Sequence, residues 1–227
     1  MLFITTFFSL ILSSFNPLYI GLSRRNLVLS SFINSQLPTM NTGFNPDINP
    51  NNNYNKILYI KNDETEGNSY LNIINNNIYF AGTLNDQSIF ALSSNLIALQ
   101  HQDIGDINLH IQSAGGSLLP SLNVVDIVRT SDIPINTYVD GYAASAATLI
   151  SVVGANRLIN KNGVMLIHQL KMGNEYNKYK EIKDYSYNSD TLMQIIKNIY
   201  LENSNLNDNI LNYLLDHDLW LNSTVCK

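Results

Sequence analysis

The 227-residue sequence has few charged side chains, a single cysteine and no cluster of basic residues. Charged residues make up 14% of the chain, against about 25% in an average soluble protein. A net charge of −5 without a Lys/Arg-rich stripe argues against a nucleic-acid partner. Cys226 is the only cysteine, which excludes an internal disulfide framework and a cysteine-based zinc cluster. We therefore expect neither nucleic-acid binding nor a metal site.

The N-terminal segment has no acidic residue before Asp47, and Arg24 and Arg25 are its only charges. An apolar opening followed by such a stretch is typical of a targeting leader, and it resembles the bipartite leaders of algae with complex plastids. A membrane anchor over residues 2–22 and an unstructured tail are the alternatives. We expect residues 1–40 to be a leader or a disordered extension, followed by an Asn/Pro-rich linker at 41–55. The expected location is a plastid or other organelle stroma, with the cytoplasm as the alternative.

Hydrophobic periodicity predicts a folded domain over residues 56–227. Strands are predicted at 56–62, 77–84, 106–112, 135–141, 156–160 and 164–169. Helices are predicted at 85–102, after Ser117 as the N-cap, at 143–155, and over 175–203 with an interruption in its polar middle. This alternation of strands and helices predicts an α/β fold.

The segment SAGGS (113–117) lies where a predicted strand meets a predicted helix. Two glycines allow a tight turn and bring backbone N–H groups close to a ligand. Many strand-to-helix turns contain Gly-Gly for geometry alone, so this segment by itself indicates little. It is not a phosphate loop, because no Gly-Lys-Ser/Thr follows it.

Ser145 and His168 are candidates for chemistry, although each has a structural explanation of its own. Ser145 lies in an alanine-rich run, where a serine is usually a small packing residue. In the first turn of a helix, however, neighbouring N–H groups could hold the oxyanion formed when its hydroxyl attacks a carbonyl. His168 ends an apolar strand, and an imidazole suits general-base catalysis near neutral pH.

The order of these features is more informative than any one of them. Gly-Gly, Ser145 and His168 each come at the end of a strand or the start of a helix, and such positions gather at one edge of an α/β sheet. A catalytic triad also needs an acid to orient the histidine. Spacing alone does not choose among the downstream acids, which are Glu175, Glu181, Asp184, Asp190, Glu202, Asp208, Asp216 and Asp218.

Taken together, the motifs resemble ClpP, the proteolytic subunit of the Clp protease, a self-compartmentalising serine peptidase. The resemblance covers roughly residues 77–223. It rests on five segments in the family's order: FAGTLNDQ (80–87), INLHIQSAGGS (107–117), GYAASAAT (141–148), MLIHQ (165–169) and HDLWLN (217–222).

The resemblance implies a role for each matching residue. Ser145 would be the nucleophile, His168 the general base, and Asp218 the acid that orients the imidazole. Asp216 lies farther from the aromatic LW of that motif and matches less well. The backbone N–H groups of Gly115 and Ala146 would form the oxyanion hole.

The resemblance also implies an architecture and partners. The fold would be the crotonase-like ClpP fold of repeated ββα units, assembled into heptameric rings that stack as a tetradecamer through about residues 170–203. Other Clp proteolytic subunits could share the ring. An AAA+ Clp ATPase would supply unfolded protein and use the ATP, so this chain itself would bind no cofactor. The alternatives are a non-catalytic scaffolding subunit of a mixed ring and a crotonase-type acyl-CoA enzyme, in which the Ser/His/Asp set has no role.

The sequence departs from the family pattern at several positions. Ala114 replaces the proline before Gly-Gly, Ala146 replaces the methionine after the nucleophile, and Leu170 replaces the proline after His-Gln. The glycine-rich strand that follows the histidine is reduced to KMGNEYNKY (171–179), which bears on peptide binding and ring pairing. The chain ends at STVCK, where relatives continue with a helix, so we expect a truncated C-terminus.

Overall fold

A computed structural model describes residues 55–60 as a backbone strand and residues 68–102, 104–173 and 178–227 in full. The chain divides into two units, Met1–Asn49 and Pro50–Lys227, and all the described residues belong to the second. The expected leader, and the expected linker up to residue 54, lie outside the described residues. None of the described helices combines the length and apolar character needed to cross a bilayer.

The described strands form one mixed sheet. Their bounds are β1 Asn55–Ile60, β2 Ser69–Ile74, β3 Asn77–Ala81, β4 Ile107–Ser113, β5 Ile135–Ala144, β6 Arg157–Ile159, β7 Val164–Ile167 and β8 Leu219–Asn222. Their order in the sheet is β1-β2-β3-β4-β5-β7-β8, with β6 attached to β5. The first three strands pair antiparallel, β3 to β7 pair parallel, and β8 returns antiparallel to β7.

Five helices are described, and three of them follow strands whose ends build the site. Their bounds are α1 Asp86–Gln100, α2 Leu118–Thr130, α3 Ala146–Val152, α4 Tyr179–Asn203 and α5 Asp208–Leu215. Helix α1 begins with a capping box, in which Asn85 accepts from the Ser88 N–H and Ser88 accepts from the Asn85 N–H. Ser117 occupies the predicted N-cap position of α2, although its side chain makes no capping hydrogen bond.

The hydrophobic core lies between the helices and one face of the sheet. Strand β4 shows the required alternation, because Ile107, Leu109 and Ile111 are buried while the residues between them face the other side. Buried residues of the helices, including Leu92 and Leu149, belong to the same apolar cluster. This packing fixes the carboxyl ends of β4, β5 and β7 beside one another.

The α/β fold predicted from the sequence is confirmed, with some corrections. Helix α4 is continuous from Tyr179, so the predicted interruption in its polar middle is wrong for the described residues. Helix α3 begins at Ala146 rather than near Ala143, because β5 continues through Ala144 while it pairs with β7. The sequence pattern did not predict β2, α5 or β8 as separate elements.

Candidate active site

Ser145 occupies the sharp turn between β5 and α3. Its backbone has φ 55° and ψ −131°, a conformation that residues with a Cβ rarely adopt. The Ser145 N–H donates to the carbonyl of Leu166 on the neighbouring strand β7 at 2.9 Å. This hydrogen bond holds Ser145 next to β7, the strand that directly precedes His168. Ser145 is the N-cap of α3, whereas the sequence predicts it in the first turn of that helix.

The Gly115–Gly116 turn packs directly against this serine. Both glycines have positive φ, +94° and +150°. A Cβ placed on Gly115 would lie 2.7 Å from the Ser145 Cβ and 2.7 Å from the Ala144 carbonyl oxygen. The two glycines are thus required both by their conformation and by the close approach of two backbone segments.

A cavity of about 310 Å³ opens at this junction. Ser145 and His168 both line it, as predicted from the order of the motifs. Its other lining residues are Ala114, Gly116, Ser117, Leu118, Ala146, Leu149, Gln169, Leu170, Lys171, Ile196 and Tyr200. The cavity combines a candidate nucleophile and base with walls that are partly polar and partly apolar, and a concave site with a few convergent polar groups is typical of a substrate site.

His168 directly follows the last residue of β7. Its Nδ1 lies 2.6 Å from the carbonyl oxygen of Gln169. A carbonyl can only accept a hydrogen bond, so this contact places the proton on Nδ1 and leaves Nε2 of the neutral ring as an acceptor. That is the tautomer a general base requires when it takes a proton from a hydroxyl.

Asp218 lies next to His168 in the sheet but contacts a different residue. Ile167 of β7 pairs with Leu219 of β8, so His168 and Asp218 are the residues just beyond this last pair. The Asp218 carboxylate lies 3.6 Å from Nζ of Lys171, and both side chains are well exposed. Among the described residues, no hydrogen bond joins Ser145, His168 and Asp218 to one another.

The neighbouring acid Asp216 is placed less favourably. It ends α5, and its backbone N–H donates to carbonyls of that helix. It lies outside the β7–β8 pairing, two residues before Asp218. The strand register therefore favours Asp218 over Asp216 as the partner of His168.

The oxyanion hole expected from Gly115 and Ala146 needs one change. The Gly115 N–H donates to Ser113 Oγ at 3.0 Å, so it is already engaged. Gly116 lines the cavity, and its N–H makes no hydrogen bond to an acceptor among the described residues. Ala146 also lines the cavity, and its N–H belongs to the first helical position, which has no acceptor within the helix. The structure thus favours Gly116 over Gly115 as the partner of Ala146.

His110 forms a second histidine–aspartate pair away from the cavity. Its Nδ1 lies 2.9 Å from Asp140 Oδ2, and its ring stacks between those of Tyr79 and Tyr138. None of these four residues lines the cavity that holds Ser145. In the described part of the chain, no group of three or more His, Cys, Asp or Glu side chains is arranged to hold a metal ion.

Comparisons with known proteins identify a matching family and several similar proteins. The model of a family described as Clp protease matches residues 61–227. An ATP-dependent Clp protease proteolytic subunit of Pleurastrum terricola is 33% identical over 101 residues, covering 43% of this chain and 52% of the relative. Subunit 1 of the corresponding Cutibacterium acnes protease is 32% identical over 132 residues, covering 56% and 60%. Subunit 2 from Leifsonia xyli is 31% identical over 155 residues, covering 59% and 70%. The chain thus spans about half to 70% of the length of these relatives.

Proposed function

Because the chain belongs to the Clp protease family, we propose that it is a proteolytic subunit that cleaves peptide bonds with Ser145 as the nucleophile. The observation that carries this proposal is the shared cavity of Ser145, His168 and two N–H donors, Gly116 and Ala146. Ser145 stands on a strained turn that presents its side chain to that cavity.

The proposed reaction is acyl transfer followed by hydrolysis. Ser145 Oγ attacks the scissile carbonyl while His168 Nε2 accepts the hydroxyl proton. The carbonyl oxygen becomes an oxyanion, which the Gly116 and Ala146 N–H groups stabilise. The imidazolium then gives its proton to the leaving amine, and a water molecule hydrolyses the acyl-enzyme by the same steps. Side chains and backbone supply all of these functions, so the proposal requires no cofactor.

Asp218 is the proposed acid, and it acts by moving from Lys171 to His168. Asp218 and His168 are adjacent at the end of the β7–β8 pairing. A change of side-chain rotamers can therefore bring the Asp218 carboxylate from Lys171 to the His168 imidazole. Catalytic hydrogen bonds are often long or misaligned until substrate binds. An exposed ion pair such as Lys171–Asp218 contributes about 0–1 kcal/mol, so its loss opposes this movement only weakly.

We propose that the substrates are unfolded proteins and that an AAA+ Clp ATPase delivers them to a ring of such subunits. The relatives carry the name ATP-dependent, and no nucleotide-binding loop is recognised in this sequence, which supports a separate ATPase. The apolar part of the cavity wall, which includes Leu149 and Ile196, suits an uncharged side chain next to the scissile bond. The ring would consist of this chain alone or together with other Clp proteolytic subunits.

A fluorophosphonate probe tests the catalytic proposal, because it reacts covalently with an activated serine. The full chain should be labelled and should hydrolyse a fluorogenic peptide, and Ser145→Ala should abolish both. Ser151→Ala is the control, because Ser151 is buried in the same helix but donates to the Thr148 carbonyl. Labelling that persists in Ser145→Ala would contradict the assignment of the nucleophile.

A non-catalytic scaffolding subunit is the second candidate, because Asp218 is held by Lys171 and does not contact His168. Sedimentation analysis distinguishes the two functions when it is combined with the probe. A ring-sized assembly without labelling would support the scaffold and overturn the peptidase.

For the proposed organelle location, a fluorescent fusion of residues 1–50 should enter the organelle, and a diffuse cytosolic signal would contradict it.

A further inference from the structure

The peptide unit that joins Ser145 to Ala146 is anchored at its carbonyl end. The Ser145 carbonyl oxygen accepts a hydrogen bond from the Thr148 N–H at 2.9 Å and another from Thr148 Oγ1 at 2.5 Å. Thr148 Oγ1 is in turn 2.5 Å from the hydroxyl of Tyr200 on α4. Thr148 and Tyr200 are both buried, so neither hydroxyl can exchange these partners for bulk water.

The direction of these hydrogen bonds follows from the number of protons. Thr148 has one hydroxyl proton, and the Ser145 carbonyl can only accept. Thr148 Oγ1 therefore donates to Ser145, and the Tyr200 hydroxyl must donate to Thr148. Burial raises the pKa of Tyr200 above its usual range, so this phenol keeps its proton across the pH range in which proteins fold. Two hydrogen bonds in series, from the Tyr200 hydroxyl to Thr148 Oγ1 and from Thr148 Oγ1 to the Ser145 carbonyl, thus link α4 to the turn that carries the nucleophile. We call this pair of hydrogen bonds the relay.

The anchored carbonyl fixes the orientation of the Ala146 N–H. The atoms of a peptide unit lie in one plane, with the C=O and N–H bonds pointing in opposite directions. Two donors on the Ser145 carbonyl therefore set the direction in which the Ala146 N–H points. Ser145 has a strained backbone, with ψ −131°, which such anchoring must hold in place.

We propose that Thr148 and Tyr200 are positioning residues that hold the Ser145–Ala146 peptide so that the Ala146 N–H faces the developing oxyanion. This inference rests on the proposed peptidase function and adds two residues to it. It predicts an effect on transition-state stabilisation and not on substrate binding, because an oxyanion exists only after attack. A donor that points away from the oxyanion loses most of its value, since electrostatic stabilisation depends on preorganised geometry.

The test compares full-length variants that remove the relay in steps. Thr148→Val keeps the branched shape and removes the hydroxyl, Thr148→Ser keeps the hydroxyl, and Tyr200→Phe removes only the outer donor. Thr137→Val is the matched control, because Thr137 is buried and donates to the Ser151 carbonyl at the far end of α3. Thr137 lies on β5, so Thr137→Val removes a hydroxyl that donates to a carbonyl of the same helix without affecting the Ser145 carbonyl. Urea unfolding of each variant shows whether it is folded.

Loss of a whole oxyanion donor costs about 10²- to 10³-fold in kcat, so a misdirected donor should cost less. We expect Thr148→Val to lower kcat about 10- to 100-fold and Tyr200→Phe to lower it about 3- to 10-fold. KM should stay within about twofold for both, and Thr148→Ser should retain most of the activity. Inhibition by a peptidyl boronate, which forms a tetrahedral adduct on serine, should weaken in parallel with kcat/KM. The affinity of a non-hydrolysed peptide, measured in a Ser145→Ala background, should not change.

Two results with folded variants would overturn the proposal. If Thr148→Val folds and keeps wild-type kcat, the hydroxyl has no positioning role. If Thr137→Val loses as much activity as Thr148→Val, the effect is one of general packing in α3. If Thr148→Val does not fold, Tyr200→Phe decides by the same criteria. If the wild-type chain neither hydrolyses peptide nor reacts with the probe, both the peptidase function and this inference are overturned. If the wild type is active and the Thr148 and Tyr200 variants have the same kcat as the wild type, only the inference is overturned.

Discussion

Asp218 and His168 are the first residues beyond the last pair of the β7–β8 ladder, yet the Asp218 carboxylate lies against Nζ of Lys171 at 3.6 Å. The sheet thus brings the proposed acid beside the proposed base, while the side chain of the acid pairs with Lys171. The contact between His168 Nδ1 and the Gln169 carbonyl meanwhile holds the ring in the tautomer that a base needs. The backbone therefore places the three proposed residues near one another, and the Asp218 and His168 side chains must still reorient before they can form a triad with Ser145.

Asp218→Asn should lower kcat strongly, whereas Asp216→Asn should have little effect. An amide in place of the triad acid can favour the wrong histidine tautomer, which costs about 10⁴-fold in a well-studied serine protease. We expect a smaller loss of about 10²- to 10³-fold here, because the Gln169 carbonyl also holds Nδ1–H. Steady-state kinetics on a fluorogenic peptide measures both variants. Equal losses in the two variants would contradict the assignment from strand register.

Lys171→Met should raise kcat, because it releases Asp218 for His168 while it retains the apolar part of the side chain. The expected rise is about twofold at low ionic strength, consistent with an exposed ion pair worth less than about 1 kcal/mol. Salt screens exposed charges, so the difference between variant and wild type should shrink at high salt. Lys183→Met, on helix α4, is the control for the loss of one positive charge. A fall in kcat specific to Lys171→Met would show that Lys171 assists the site instead of competing for its acid.

Gly115→Ala should destabilise the fold and abolish activity. The new Cβ would lie 2.7 Å from both the Ser145 Cβ and the Ala144 carbonyl oxygen, and φ at this residue is +94°. Gly105→Ala is the matched control, because Gly105 also has positive φ (+70°) but no atom within 4 Å of the added Cβ. The positive φ alone costs about 1–2 kcal/mol, so the difference between the variants in urea unfolding isolates the steric clash. Equal stabilities would show that the Gly115 turn can move away from Ser145.

The sequence predicts that Ser145 and His168 lie at the same edge of the sheet, and both line one cavity. Both follow strands of an α/β pattern, and the parallel pairing of β5 with β7 brings those strand ends together. Only the five-motif resemblance selected Asp218, since spacing left eight acids open. The structure adds an independent reason, the β7–β8 register, but β8 is four residues long and becomes recognisable as a strand only through its partner.

Other features of the site and fold cannot be predicted from the sequence, because they depend on contacts between residues far apart in the chain. The choice between Gly115 and Gly116 as oxyanion donor depends on where the Ser113 hydroxyl points. The hydrogen bond between Thr148 and Tyr200 joins residues 52 positions apart on different helices. Strand β2 is not recognisable from the sequence because it is surrounded by Asn-rich segments, although its alternate residues Leu71 and Ile73 are buried.

The buried Tyr200 predicts how stability should change at alkaline pH. Burial raises the pKa of this phenol in the folded protein, whereas an unfolded tyrosine ionises near pH 10, at about its ordinary pKa. Above about pH 10 the unfolded state therefore binds fewer protons than the folded state, so the free energy of unfolding falls as pH rises. The contribution of Tyr200 to this slope is at most about 1.4 kcal/mol per pH unit.

Tyr200→Phe removes that contribution, and urea unfolding between pH 8 and pH 11 measures the result. At pH 8 the variant should be about 1 kcal/mol less stable, because it loses the hydrogen bond to Thr148. Its stability should fall less steeply above about pH 10, so the two curves converge there. Tyr187→Phe, at an exposed position of α4, is the control and should follow the wild-type curve. A constant difference between Tyr200→Phe and wild type over the whole pH range would show that the Tyr200 phenol reaches solvent and does not act as a fixed donor to Thr148.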